Sequence, residues 1–129
     1  DFMKKLKKTP KIATLSYARH GDYGRSEEIN QSLDDAKKLT QLIEKHTNQK
    51  IENSCVLIDQ AIKNKCNILI TPNGIVGNTI FRTLVLLNSW PSFGAITFGI
   101  DDIYIDTSRD QSREGYLRSL ELAYKLAKL

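Results

Sequence analysis

The sequence predicts an α/β fold, a three-layer sandwich around a mainly parallel sheet. Two observations carry that expectation. The strand candidates are short continuous apolar runs, as strands covered on both faces are. They alternate with segments of helical periodicity, as in β-α-β units. Residues 12–17 (IATLSY) follow Pro10 as such a run and predict a buried strand. Residues 18–25 are polar, hold Gly21 and Gly24, and predict a loop. Ser26 predicts an N-cap, with Glu27 and Glu28 in the first turn where the helix dipole favours negative charge. Ile29, Leu33, Ala36, Leu39 or Thr40, and Ile43 then form one apolar stripe to about His46. Residues 48–54 are polar, 55–58 are a short apolar run, and 59–65 predict a brief helix.

Residues 67–71 (NILIT) predict a second buried strand, stopped by Pro72. Residues 73–77 (NGIVG) predict a tight loop, and Asn78 an N-cap for a helix to about Asn88. That helix is apolar nearly all round (Ile80, Phe81, Leu84, Val85, Leu86, Leu87), which predicts burial on more than one side. After a loop over 89–94, residues 95–100 and 103–106 predict a third and a fourth strand. Ser112 predicts the cap of a last helix, with Tyr116, Leu120, Ala123, Tyr124 and Ala127 as its stripe. No internal repeat is present.

Composition narrows the function classes. The 129 residues are 40% hydrophobic and 26% charged, enough apolar matter for one packed domain and too much for a disordered chain. No apolar run approaches the ~18 residues of a membrane span. Two cysteines, Cys55 and Cys66, make no disulfide framework, so a cytoplasmic protein is the expectation. The net charge of +4 comes from Lys4, Lys5, Lys7, Lys8 and Lys11 against Asp1; the remainder balances. A basic excess confined to the start of the chain, through Lys11, predicts that residues 1–10 are a solvated tail or linker rather than a nucleic-acid surface. The chain opens on Asp rather than Met, which predicts a fragment.

In a parallel sheet ligands bind beyond the carboxyl ends of the strands. The loops at 18–25, 72–78 and 107–111 fit that position. Helix N-termini there offer unpaired amides and a positive dipole end, suited to phosphate or carboxylate. Gly74 and Gly77 let a backbone approach an anion closely, though turn geometry alone also accounts for them. Arg109, in Asp106-Thr107-Ser108-Arg109, reads either as a forked anion clamp or as an ion-pair partner of Asp106 or Asp110. Asp101, Asp102 and Asp106 fit turn and cap roles better than a magnesium site. The cysteines lack zinc spacing, Ser16 and Ser108 lack a His–Asp pair, and no metal site is expected. Trp90 and Phe93 fit the edge of the core better than a cofactor stack.

Three segments then carry a resemblance. Leu15-Ser16-Tyr17 with Gly21 resembles the LS[FY]ST-K-G segment of phosphotransacetylases, 72–78 (PNGIVGN) their P[DN]-x3-GN motif, and Asp106-Thr107-Ser108-Arg109 their D-x-SR motif. On 21–26 (GDYGRS), 77–84 (GNTIFRTL) and 106–109 the chain is identified as a member of a methanogen branch of that superfamily. This branch is the methanogenesis marker family labelled methyltransferase subunit X. Members are about twice as long, so residues 11–129 match their C-terminal half as one incomplete α/β domain.

The resemblance implies the isocitrate/isopropylmalate dehydrogenase-like fold, a two-domain cleft, and a last helix (112–128) docked elsewhere. It implies coenzyme A as the cofactor to test, while the residues themselves name none. It also implies that Ser108 and Arg109 hold an acyl phosphate. The family's base position falls on Gly115, with Glu114 one residue away, and its motif lysine is replaced by His20. The anion-holding parts are kept and the proton-handling part is not, which weighs against ordinary acetyl transfer to coenzyme A. The site so drawn has Arg109, Ser108 and Glu114 as catalytic candidates. Its ligand-binding candidates are Ser16, His20, Arg25, Asn73, Gly74, Gly77 and Asn78. The expected function is a transferase taking a small anionic ligand, with the absent half, partner subunits or a homodimer completing it. The competing expectation is a non-catalytic assembly protein of methane metabolism. Neither membrane nor nucleic acid is an expected partner.

Overall fold

The centre of the structure is β1 (Ile12–Leu15), flanked in parallel by β2 (Glu52–Cys55) and β3 (Ile68–Ile70) in the order β2-β1-β3. The computed structural model describes residues 2–107, 109 and 111–129. They group into two compact units: Lys8–Ile80, and Phe81–Leu129 together with the N-terminal stretch through Lys7.

In the first unit Ala13 and Thr14 are fully buried and Leu15 nearly so, as a central strand requires. Thr14 is a polar side chain in this core, and it is satisfied. Its hydroxyl meets that of Thr40 at 2.7 Å, and Thr40 in turn donates to the Ala36 carbonyl at 2.8 Å. The partner helix is α2 (Glu27–Thr47). Ser26 caps it, accepting from the Ile29 amide at 3.2 Å, and Asn48 closes it in the left-handed conformation at φ 51°. The predicted stripe buries its middle, at Leu33 and Ala36, and half-buries its ends.

β2 departs from expectation. The strand is the polar Glu52–Cys55 (ENSC), not the apolar run after it, which turns into α3 (Ile58–Lys63). The reason is local pairing on an outer strand. The Glu52 carboxylate accepts from Ser54 Oγ (2.6 Å), Asn64 Nδ2 (3.0 Å) and Cys66 Sγ (3.5 Å). β3 is half-buried rather than buried, since it too is an outer strand. Its start is tied to that of β1 by Asn67, whose Oδ1 accepts from the Lys11 amide at 2.8 Å.

The expected loop at 73–77 is helix. α4 spans Gly74–Arg82 and passes into a π-helical turn at Thr83–Leu87, and Asn78 lies within it. None of its residues is buried, and Ile75 and Leu87 are 78% and 82% exposed, against the burial its composition predicts.

The second unit pairs β4 (Ala95–Ile96) with β5 (Ile105–Asp106) as an antiparallel hairpin. The third and fourth predicted strands therefore pair with each other and not with the parallel sheet. Gly94, at φ 83°, is required: a Cβ would stand 2.7 Å from the Asp106 carbonyl oxygen. α5 (Arg113–Leu126) begins at Ser112, which accepts from the Gly115 amide at 3.1 Å. Residues of the basic tail form a one-turn helix, α1 (Phe2–Lys5), and Phe2 meets Phe98 edge-on at 5.1 Å. Among the described residues, no helix is long and apolar enough to cross a membrane.

Candidate functional site

Parallel strands deliver their carboxyl ends to one edge, so the loops after β1 and β3 emerge beside each other. After β1, Ser16 is buried and its hydroxyl donates to the Ala18 carbonyl at 2.9 Å, so it shapes the turn. The Tyr17 amide donates to Ser32 Oγ at 3.0 Å, which ties this loop to α2. After β3, Asn73 does two jobs. Its Oδ1 accepts from the Val76 amide at 2.9 Å and so caps α4, while its Nδ2 donates to the Tyr17 hydroxyl at 2.6 Å. The cap predicted at Asn78 is thus made five residues earlier. Gly77 lets this first turn close onto Thr71, because a Cβ there would stand 2.9 Å from Thr71 Oγ1. The first amides of α4, at the exposed Gly74 and Ile75, have no acceptor within the helix.

The loop after β1 spreads its other two site candidates. Asp22 holds Arg25 in an ion pair at 2.9 Å, with the arginine side chain 72% exposed. His20 opens a short 3₁₀ turn and lines a groove of about 550 Å³ with Arg19, Cys55, Gln60 and Asn64. That groove borders β2, whereas Asn73 and Gly74 follow β3. The structure therefore joins Tyr17 with Asn73 and turns His20 toward the other neighbour of β1.

In the second unit Arg109 is an exposed turn residue and Glu114 is exposed in the first turn of α5. Ser108 lies outside the described residues. Gly115 is buried beneath Gln111, and a Cβ on it would stand 2.6 Å from Gln111 Nε2. A carboxylate side chain at 115 has no room without displacing Gln111. Gln111 Nε2 is itself buried with no hydrogen-bond partner among the described residues.

Electrostatics single out one further cluster. Hydrogen bonding from Ser54, reinforced by Asn64, Cys66 and the Lys11 charge, holds the Glu52 carboxyl below its ordinary value against the cost of burial. Burial, then the Glu52 carboxylate, pushes the Cys66 thiol up. Among the described residues no three His, Cys, Asp or Glu side chains group as metal ligands. Sequence reasoning missed Tyr17 and the capping role of Asn73. The signal for the cap was an asparagine at the head of an apolar helical run, hidden by the turn character of Asn-Gly.

A three-stranded parallel sheet with helices, and loops of polar residues at its carboxyl edge, defines an α/β protein. A protein of Methanopyrus kandleri named "Uncharacterized methyltransferase" is 32% identical over 124 residues, covering 94% of this chain and 48% of its own. One of the same name from Methanocaldococcus jannaschii is 32% identical over 122 residues, covering 94% of this chain and 49% of its own. The "Putative methyltransferase mtx subunit X" of Methanosarcina barkeri is 37% identical over 101 residues, covering 78% of this chain and 36% of its own. The chain thus spans half or less of the length of these relatives. It belongs to the family of methanogen proteins that carry the name "Putative methyltransferase mtx subunit X". No family model matches the chain, and no solved structure does.

Proposed function

We propose that the chain is part of a cytoplasmic transferase of methanogens that holds an anionic phosphate- or acyl-type group at loops and helix N-termini. In this reading the fold continues into the phosphotransacetylase-like, isocitrate/isopropylmalate dehydrogenase-like architecture. One observation carries it. The start of α4, capped by Asn73 at the carboxyl edge of the sheet, presents the Gly74 and Ile75 amides with a positive dipole end. Gly77 keeps that turn close to the sheet, Asn78 extends it, and Ser16 fixes the neighbouring loop. The family resemblance adds the Arg109 guanidinium as the forked cation and the Ser108 hydroxyl as a donor, while His20, in the groove beside β2, and Arg25, paired with Asp22, stand apart from the start of α4. Glu114 is the carboxylate at hand for proton transfer, and coenzyme A is the acceptor the family resemblance implies. The names of the relatives support group transfer, with partner subunits or the rest of the family's length completing the site.

The test is thermal unfolding of the full-length protein with inorganic phosphate, acetyl phosphate and coenzyme A. A ligand that binds only the folded state raises the midpoint by mass action. Phosphate or acetyl phosphate is expected to raise it, and Arg109→Ala to abolish the rise. An unchanged rise in Arg109→Ala overturns the reading.

A second reading, a non-catalytic assembly subunit, draws on the word "subunit" in the relatives' names and on the exposed apolar face of α5. Co-purification with a methyl-transfer complex whose activity survives Arg109→Ala favours it over the first.

A further inference from the structure

A cleft of about 280 Å³ opens between α2 and the carboxyl ends of β1 and β3, with Tyr17 on its border toward Asn73. In the order β2-β1-β3 the first crossover leaves β1 for β2 and the second returns past β1 to β3, so β1 and β3 lie side by side, and ligands of open parallel sheets bind beyond such carboxyl ends. Its floor is apolar, made by the buried Leu15 and Ala36 with Leu39, Ile70 and Pro72. Its rim is acidic. Glu28, Gln31 and Asp35 follow one another at spacings of three and four, so they share one stripe of α2. Gln31 Nε2 donates to Asp35 Oδ1 at 2.8 Å, and Glu28 has no hydrogen bond or ion pair among the described residues. Among the described residues no Lys, Arg or His lines the cleft, and neither Gly74 nor Ile75 does.

That lining repels the ligand class drawn to α4. Two carboxylates with no compensating cation disfavour a phosphate, while an apolar floor beneath them favours a molecule with a hydrocarbon body and a positive head. The volume of about 280 Å³ falls just below the ~300–1,000 Å³ typical of ligand sites, which limits the occupant to a small molecule. We propose that this cleft is a second ligand site, which takes a small organic cation: a primary ammonium on a short apolar stem. The stem covers Leu15, Ala36 and Ile70, and the head lies between Glu28 and Asp35.

Hexylamine, hexanol and hexanoate share one stem and differ only in the head, so they separate charge from hydrophobic binding. Each is titrated into the ¹⁵N-labelled chain while the amide resonances of Leu15, Ala36, Ile70 and Thr71 are followed. Hexylamine is expected to move them saturably and to bind roughly tenfold more tightly than hexanol, with hexanoate inert. Glu28→Gln with Asp35→Asn, both at exposed positions that leave α2 intact, is expected to bring hexylamine down to the affinity of hexanol. The proposal is overturned if hexanol equals hexylamine, if hexanoate binds, if no probe gives a saturable shift, or if the double variant binds the amine unchanged.

Discussion

Gly115 tests whether a crowded position can relax. Within a helix, glycine to alanine ordinarily gains about 1 kcal/mol. At 115 the new methyl would meet only the flexible Gln111 side chain, whose Nε2 has no hydrogen-bond partner among the described residues, so Gln111 is expected to swing aside and Gly115→Ala to gain up to about 1 kcal/mol. Urea unfolding checks the sign, and a loss would show that Gln111 is held in place. Glu52 gives a second prediction at this scale. Its carboxyl is depressed below the ordinary 4.5 by Ser54 first. A depressed carboxylate contributes stability above its unfolded pKa and loses it as pH falls through the folded one. The stability difference between the native chain and Glu52→Gln should therefore be full near neutrality and shrink below about pH 4.5. The same substitution removes the charge that, after burial, raises the Cys66 thiol, so alkylation of Cys66 near pH 8 should speed up. An equal or slower rate would show that burial alone sets this thiol.

At the scale of elements, the two serine caps were legible because Ser followed by Glu or Arg and a helical stripe leaves one placement for the orphan amides. Ser26 and Ser112 both accept from the third amide of their helices. The start of α4 was not legible. Asn-Gly reads as a turn, yet Asn73 spends its Oδ1 on the Val76 amide and begins a helix five residues before Asn78. β2 escaped for a different reason: it is a polar strand whose Glu52 is satisfied by Ser54 within the strand and by Asn64 at the end of α3, even as Ser54 and Cys55 are buried. The α4 cap also permits a separation of stability from binding. Asn73→Ala is expected to lose about 1 kcal/mol, the usual cost of a missing cap. Asn73→Asp keeps an acceptor for Val76 and adds charge favourable to the dipole, so the fold should hold. That same charge faces any phosphate at Gly74 and Ile75. The Asp variant is expected to match the native midpoint without ligand and to lose the rise with phosphate. A retained rise would detach the start of α4 from the proposed anion site.

For the whole molecule, the parallel core around β1 followed from the apolar runs, while the fate of the C-terminal apolar residues did not. Periodicity picks out a stripe on α5 but is silent on which face the chain itself covers. The helix buries Gly115 and Ser119 and leaves Tyr116, Leu120 and Tyr124 at 46%, 67% and 59% exposure. These three stand four residues apart, on one face, with Lys128 Nζ 4.1 Å over the Tyr124 ring. An amphipathic stripe turned outward is the form of a contact surface, because a lone helix gains nothing by displaying it to water. If the face serves contact and not the internal core, charge on it should leave folding alone. Leu120→Glu with Tyr124→Glu is expected to change unfolding free energy by no more than about 0.5 kcal/mol per substitution, as for surface positions. It should also abolish any concentration-dependent association seen by sedimentation velocity. A large drop in stability would mean that these side chains complete the fold of their own unit. Association that persists with stability unchanged would move the contact to another face.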